Sequence, residues 1–244
     1  MHILTPQTTR VDQVYEAILS EISAGKFGPV GRLIQEEIAE SLGVSRQPVQ
    51  QALMLLRSQG LLRDAPGRGL MVGPLDPQHV RNLYEVRGML DGLASSNAAE
   101  RANKVAKQHG PAYITRGRTA VKSRSIARMI EADMAFHFFL YELSDNPLVA
   151  EVSVPHWSYL RRVMGEVLLH GETPGDIWDQ HQLILDAVAA GDSTSAERLA
   201  RHHIARAAET LAARIASHER SASLVVAGRG SGRAPPVKNP KQKS

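Results

Sequence analysis

The sequence predicts a mainly α-helical chain in two domains. Three observations carry that expectation. Leu33 to Leu62 reads as a pair of helices about a glycine turn. From Pro77 to about Glu219 the apolar residues recur at helical spacing rather than in alternation. Nothing supports a parallel sheet, since no glycine-rich turn leads from a strand into a helix. The 244 residues leave room for two modest cores, and 5% aromatic content argues against a large sheet-rich one. Without cysteine there are no disulfides and no thiolate metal sites. No apolar run reaches membrane-spanning length, and the opening MHILTPQTTR lacks the basic-then-apolar layout of a signal peptide. The expectation is a cytoplasmic protein.

The first helix runs from Val11 to Ala24, with Val11, Val14, Tyr15, Ile18 and Ile22 on one face and Gly25 as its stop. A second spans Gln35 to Leu42, turns at Gly43, and leads to a third that opens at Ser45. The Ser45 hydroxyl suits an N-cap, and Pro48 falls at the third helical position, where its missing N–H has no intrahelical partner to lose. Val49, Ala52, Leu53 and Leu56 then share a face at i, i+3, i+4 and i+7, while Arg46, Gln47, Gln50 and Arg57 point away from it. Two short apolar runs, around Leu61-Leu62 and Leu70-Met71-Val72, flank a tip of Gly67-Arg68-Gly69 and read as a β-hairpin. Together these make a winged helix-turn-helix. A helix with an apolar back and a long-armed polar front suits a DNA major groove, so Arg46, Gln47 and Gln50 are the candidate base readers, with Ser45 beside them. Arg68 is the candidate wing contact.

Gly73-Pro74-Leu75-Asp76-Pro77 breaks the pattern and marks a domain boundary, dividing residues 1–73 from an all-α domain at 74–220. Asp76 is placed to cap the next helix with Pro77 at its first position. Helices are expected near Pro77–Ala106, Ile126–Ser144, Leu148–Leu169, Asp176–Ala190 and Ser193 to about His218. Gln108–Arg124 is basic and poorly periodic, a loop or a weak helix. Residues 221–244 hold five basic and no acidic side chains among Gly, Ser and Pro, and read as a disordered tail. This tail supplies the excess behind the formal charge of +4, so the folded part is nearly neutral.

The bundle carries ionisable residues on apolar faces. Asp133 and His137 stand at i, i+4 within a stripe of Ile126, Met129, Ile130 and Leu140. His181 shares a face with Ile184, Leu185 and Val188. Leu199, His203, Ala207 and Leu211 align on the last helix, whereas His202 falls among Arg198, Arg206 and Glu209. One carboxylate and three imidazoles buried together are costly unless satisfied. Mutual hydrogen bonding is one solution. A divalent transition metal is the other, with an oxygen-plus-nitrogen donor set suited to Zn, Ni, Mn or Fe rather than Ca.

The stretch LGVSRQPVQQAL, with GLL and PGRGL following in order, resembles the winged helix-turn-helix of the GntR family of bacterial transcription regulators, over roughly Val11 to Val72. Two positions depart from the family's habit. Glu36 and Gln50 stand where basic, operator-contacting residues are usual, which implies a different operator, with Gln50 able to pair with adenine. Downstream, Asp133-x-x-x-His137, Ser144-Asp145-Asn146-Pro147, His181, Gly191-Asp192 and His203 are similar to the all-helical, FCD-type domain of the FadR-like branch, as is the opening Leu83–Ala94. That resemblance implies a metal held by Asp133, His137, His181 and His203, and a small carboxylate effector beside it. Arg87, which offers bidentate donors, is then the candidate effector clamp, against the plainer role of an ion pair with Glu85 or Asp91. Arg128 and Arg161 are weaker candidates, and Trp157, Tyr159 and Trp178 are aromatic packing or pocket wall.

The expectation is therefore a homodimeric regulator, a repressor, that binds double-stranded operator DNA and responds to a metal-assisted organic acid. The alternative is a metal-dependent enzyme using the same Asp/His set.

Overall fold

A computed structural model describes residues 9–27, 31–67, 69–169 and 176–229, and among these are eight helices and one small sheet. Helix α1 covers Arg10–Ser23. Thr9 and Asp12 form a reciprocal capping box at its start: the Thr9 Oγ1 accepts from the Asp12 amide at 3.1 Å, and the Thr9 amide donates to the Asp12 carboxylate at 2.9 Å. Val14, Ile18, Leu19 and Ile22 are its buried face, and Gly25 follows in the left-handed region.

Strand β1 (Arg32–Leu33) precedes α2 (Gln35–Ser41) and α3 (Arg46–Ser58); β2 (Leu62–Asp64) and β3 (Leu70–Val72) form the wing. The expected hairpin is present, antiparallel, with Arg63 opposite Met71. The two-residue β1 adds itself to β3, pairing Leu33 with Leu70. So short a strand shows no alternation in sequence, which is why it is absent from the expectation. Gly67 and Gly69, at φ of 91° and 95°, give the tip a backbone path that a side chain would strain. On α3 the buried residues are Val49, Ala52, Leu53 and Leu56, the face expected. Ser45 occupies the N-cap position with extended backbone, but its hydroxyl makes no capping bond. That corrects the sequence reading, and this cap rests on backbone geometry alone.

Helix α4 (Pro77–Ser123) starts as expected, with Asp76 Oδ1 accepting from the Gln78 amide at 2.8 Å and Pro77 at the first position. It then continues for 47 residues, kinked at Ala102, through the stretch expected to be loop or weak helix. Its buried residues beyond the kink are Ala106, Gly110, Ile114, Gly117 and Ala120. Small residues at helical spacing leave no hydrophobic stripe to read, yet they let α4 lie close to its neighbours. A Cβ on Gly110 would collide with Leu185, and one on Gly117 with the Trp178 ring. Helices α5 (Ile126–Leu143), α6 (Pro147–Leu169), α7 (Ile177–Ala190) and α8 (Ser193–Arg229) complete the bundle. Helix α8 runs past its expected end near His218, since no Gly or Pro interrupts the chain before Gly228. This carries helix into the start of the stretch read as a disordered tail.

The head is fastened to the bundle through α6. The Tyr15 hydroxyl bonds Ser158 and Gln59, Arg161 pairs with Glu16 at 2.6 Å, and Arg162 donates to the Gly73 carbonyl. Gly165 leaves no room for a Cβ against the Ser23 backbone. A single hydrophobic cluster accordingly spans α1, α3, α4, α6 and α8.

Candidate metal centre and nucleic-acid interface

Helix α3 presents Arg46, Gln47 and Gln50 to solvent, with Ser45 exposed at its N-terminal end. These residues share a surface as predicted. Arg46 is not idle in the absence of DNA: its guanidinium stands 3.2 Å from the Glu36 carboxylate of α2, both groups more than half exposed. Gln35 adds a bond from its side-chain amide to the Arg46 carbonyl at 2.8 Å. The acid at position 36 thus contacts the candidate base reader, a pairing that only the three-dimensional arrangement reveals. Arg68, the wing candidate, lies outside the described residues.

Inside the bundle, α5 supplies Asp133 and His137, α7 supplies His181, and α8 supplies His203. The three imidazoles converge, each offering a nitrogen within 4.8 Å of the others. His137, His181 and His203 are all buried, and His202 is exposed, as their helical faces indicate. The Nε2 atoms of His181 and His203 stand 3.1 Å apart. Two nitrogens each about 2.1 Å from one ion, at angles between octahedral and tetrahedral, would be separated by roughly 2.9–3.4 Å. Asp133 borders the cluster, 3.6 Å from His181 Nε2 and 3.9 Å from His137 Nε2. The sequence-predicted four are therefore brought together, the carboxylate slightly outside the imidazole triangle.

What turns two of the three imidazoles inward is a layer that sequence reasoning assigned no such role; His181 Nδ1 has no such partner. Asp91, from α4, accepts from His137 Nδ1 at 2.6 Å and from the Tyr141 hydroxyl at 2.9 Å. The Gln180 side-chain oxygen lies 3.0 Å from His203 Nδ1. Placing the protons on the two Nδ1 atoms leaves both Nε2 lone pairs facing the centre, the arrangement that metal ligation requires. His137 Nε2 has no hydrogen-bonding partner although it is buried. Burial, with neighbouring imidazoles, pushes His181 and His203 well below the ordinary histidine range, so both are neutral donors at physiological pH. Burial alone would raise the Asp91 carboxyl; His137, Arg87 and the two hydrogen bonds outweigh it and hold it at about 2. The available signal for Asp91 was its position four residues after Arg87 on the buried face of α4.

Arg87 takes the plainer of the two roles offered for it, an ion pair with Asp91. Its Nε is 3.3 Å from Asp91, a buried i, i+4 ion pair, and its guanidinium lies over the Trp157 ring at 4.3 Å. Burial disfavours its charge, and Asp91 more than restores it. Yet Nε and Nη2 make no hydrogen bond. The same side chain lines a cavity of about 180 Å³ that reaches Asp133 and His203 and is walled by Met129, Ile130 and Trp178. Arg161 belongs to the head–bundle contact instead, Arg128 lines a separate surface depression, and Tyr159 accepts from the Asp76 amide at 3.3 Å. Trp178 is pocket wall, and Trp157 is the platform under Arg87.

Residues 10–72 match the model of the gntR family of bacterial regulatory proteins, and residues 82–206 match that of the FCD domain. An HTH-type transcriptional regulator from an unstable DNA locus of Streptomyces ambofaciens is 29% identical over 81% of this chain and 83% of its own. The HTH-type transcriptional repressor RspR of Escherichia coli K12 is 24% identical, covering 85% of this chain and 91% of RspR. Among solved structures, E. coli McbR/YncC superposes with a TM-score of 0.72 at 21% identity, over 84% of this chain and 98% of that one, a likeness of fold. No helix among the described residues is long and apolar enough to cross a membrane.

Proposed function

The chain belongs to the GntR family of bacterial transcription regulators and carries the FCD domain, and from that premise we propose that it is a cytoplasmic, homodimeric repressor whose operator affinity is set by a metal and a small carboxylate held in its bundle. The observation that carries the metal is the inward-facing, unpartnered His137 Nε2 beside two further Nε2 atoms. The His181–His203 contact at 3.1 Å leaves that nitrogen unsatisfied, and an ion at the centre would satisfy it. Asp133, His137, His181 and His203 hold the divalent ion, with Zn, Ni, Mn and Fe all compatible with the donors. The bound ion supplies positive charge to the cavity. Arg87 orients the effector through its unpaired N–H groups, and Trp157 fixes the guanidinium plane.

Helix α6 is the route from that cavity to the head. Met164 and Leu168 line the cavity, while Ser158, Arg161 and Gly165 hold α1. A ligand that binds better to one setting of α6 than to another shifts the head, which is the condition for any allosteric effect. Each head lays α3 in a major groove, with Arg46, Gln47 and Gln50 toward the bases and Arg68 reaching from the wing. A second copy seats on the exposed apolar stripe of Val86, Met89 and Leu93 on α4, and two heads then read a roughly palindromic site. RspR, a relative along most of the chain, is named a repressor, which supports that sign of regulation. Against the enzyme alternative, the relatives that match most of the chain are named transcriptional regulators.

The test is a selection from genomic fragments with the purified full chain beside Arg46→Ala. The proposal expects one palindromic sequence that the variant fails to enrich. Enrichment of the same site by the variant would remove α3 from the role of reader.

A further inference from the structure

We infer that Met54 is a specificity-determining residue of the head, which reads the C5-methyl group of one thymine in each half-site; this rests on the DNA-reading role proposed above for α3. Gln47, Gln50 and Met54 follow one another at i, i+3 and i+7 and form a single row along the outer face of that helix, with Gln51 beside it. All four are exposed, while Val49, Ala52, Leu53 and Leu56 are buried on the opposite side. Met54 is 62% exposed and takes no part in the hydrophobic cluster that joins the head to the bundle. It therefore leaves apolar surface in water, in line with the amides of the reading face.

Charge sets this row apart. The two arginines of α3 lie toward its ends, and each faces a carboxylate: Arg46 stands 3.2 Å from Glu36, and Arg57 stands 2.8 Å from Asp64. The middle of the face is left to uncharged side chains, so discrimination there depends on amide hydrogen bonds and apolar contact. Among the groups that base pairs present in the major groove, the thymine methyl is the apolar one, and side-chain amides pair with adenine N6 and N7. Glutamines and a methionine in one row therefore match A·T pairs. An unbranched, flexible thioether side chain is suited to following a methyl group in the groove. At about 1.5 Å of rise per residue, Met54 lies about 6 Å beyond Gln50, or about two base-pair steps of roughly 3.4 Å. The thymine is expected at that offset from the adenine that Gln50 reads.

Uracil in place of thymine removes only the methyl group, and that exchange is the test. In duplexes of the site enriched by the full chain, each thymine position is replaced in turn in both half-sites. Fluorescence anisotropy then measures the affinity of wild type, Met54→Ala and Met54→Gln, with the fold of each variant checked by circular dichroism. At the thymine that Met54 reads, uracil should weaken wild-type binding about fourfold per half-site, the effect of one lost methyl contact, and leave both variants unaffected. At every other thymine the three proteins should respond alike. If no thymine distinguishes wild type from Met54→Ala while Arg46→Ala still loses the site, the role of Met54 is overturned and α3 remains the reader. A Met54→Ala chain that becomes monomeric in sedimentation would assign the exposed side chain to a protein contact, and that too overturns the inference. Failure of the full chain to enrich any site would overturn both the inference and the DNA-reading role of α3.

Discussion

Asp91→Asn is the substitution that most sharply separates orientation from ligation. Asp91 is not itself among the proposed metal ligands; it accepts from His137 Nδ1 at 2.6 Å and faces Arg87 Nε at 3.3 Å. The asparagine is nearly isosteric, so it leaves no cavity, but it removes the negative charge that faces the Arg87 guanidinium and the His137 Nδ1. For zinc, loss of a carboxylate behind a ligating imidazole costs 10- to 100-fold in affinity, or about 1.4–2.7 kcal/mol. For the fold, a unit-charge pair at 3.3 Å attracts by about 5 kcal/mol at an effective dielectric of 20, a gross upper bound. Removing one partner of a buried pair costs about 3–5 kcal/mol, so the metal-free variant should melt roughly 6–20 °C lower. Competition against a chromogenic chelator measures the first effect, and calorimetric melting of the chelated protein the second. A variant that melts lower yet binds zinc as wild type would refute the claim that Asp91 aims His137. A variant unchanged in both would refute the ion pair as well.

Other substitutions probe the remaining links. Gly165→Val places a branched side chain against the Ser23 backbone, so it should part α6 from α1, preserve zinc binding, and abolish the effect of acid on operator affinity in fluorescence anisotropy. Glu36→Gln removes the partner of Arg46 and one negative charge from the groove-facing surface. Non-specific DNA affinity at low salt should increase, and base preference in the selected site should shift at the position Arg46 reads. Leu56→Ala empties a fully buried position on the back of α3. It should cost about 2–5 kcal/mol and eliminate operator binding, while zinc still binds the bundle.

Much of this architecture was legible because large apolar side chains advertise helical faces. Val49, Ala52, Leu53 and Leu56 specified the inner side of α3, and periodicity alone chose His203 over His202. The second half of α4 was illegible for the opposite reason: Ala106, Gly110, Gly117 and Ala120 are buried by close approach rather than by bulk. The four candidate ligands could be named, but the groups that orient them could not. Gln180 reads as an ordinary polar neighbour of His181, and the bond from His203 to it joins residues on different helices. The Glu36–Arg46 contact likewise depends on how α2 crosses α3. Ser45 shows the reverse case, a residue of the right type at the right position whose expected bond is not made.

The most direct test of the central claim is operator affinity of the full-length chain in four states: metal-free, zinc-loaded, zinc-loaded with acetate as a small carboxylate, and His203→Ala under the last condition. A bundle that governs the heads should change the wild-type Kd by about 5- to 150-fold between metal-free and fully liganded protein, with the variant held at the metal-free value. One Kd across all wild-type states would contradict it, and would leave a DNA-binding head beside a bundle that does not speak to it.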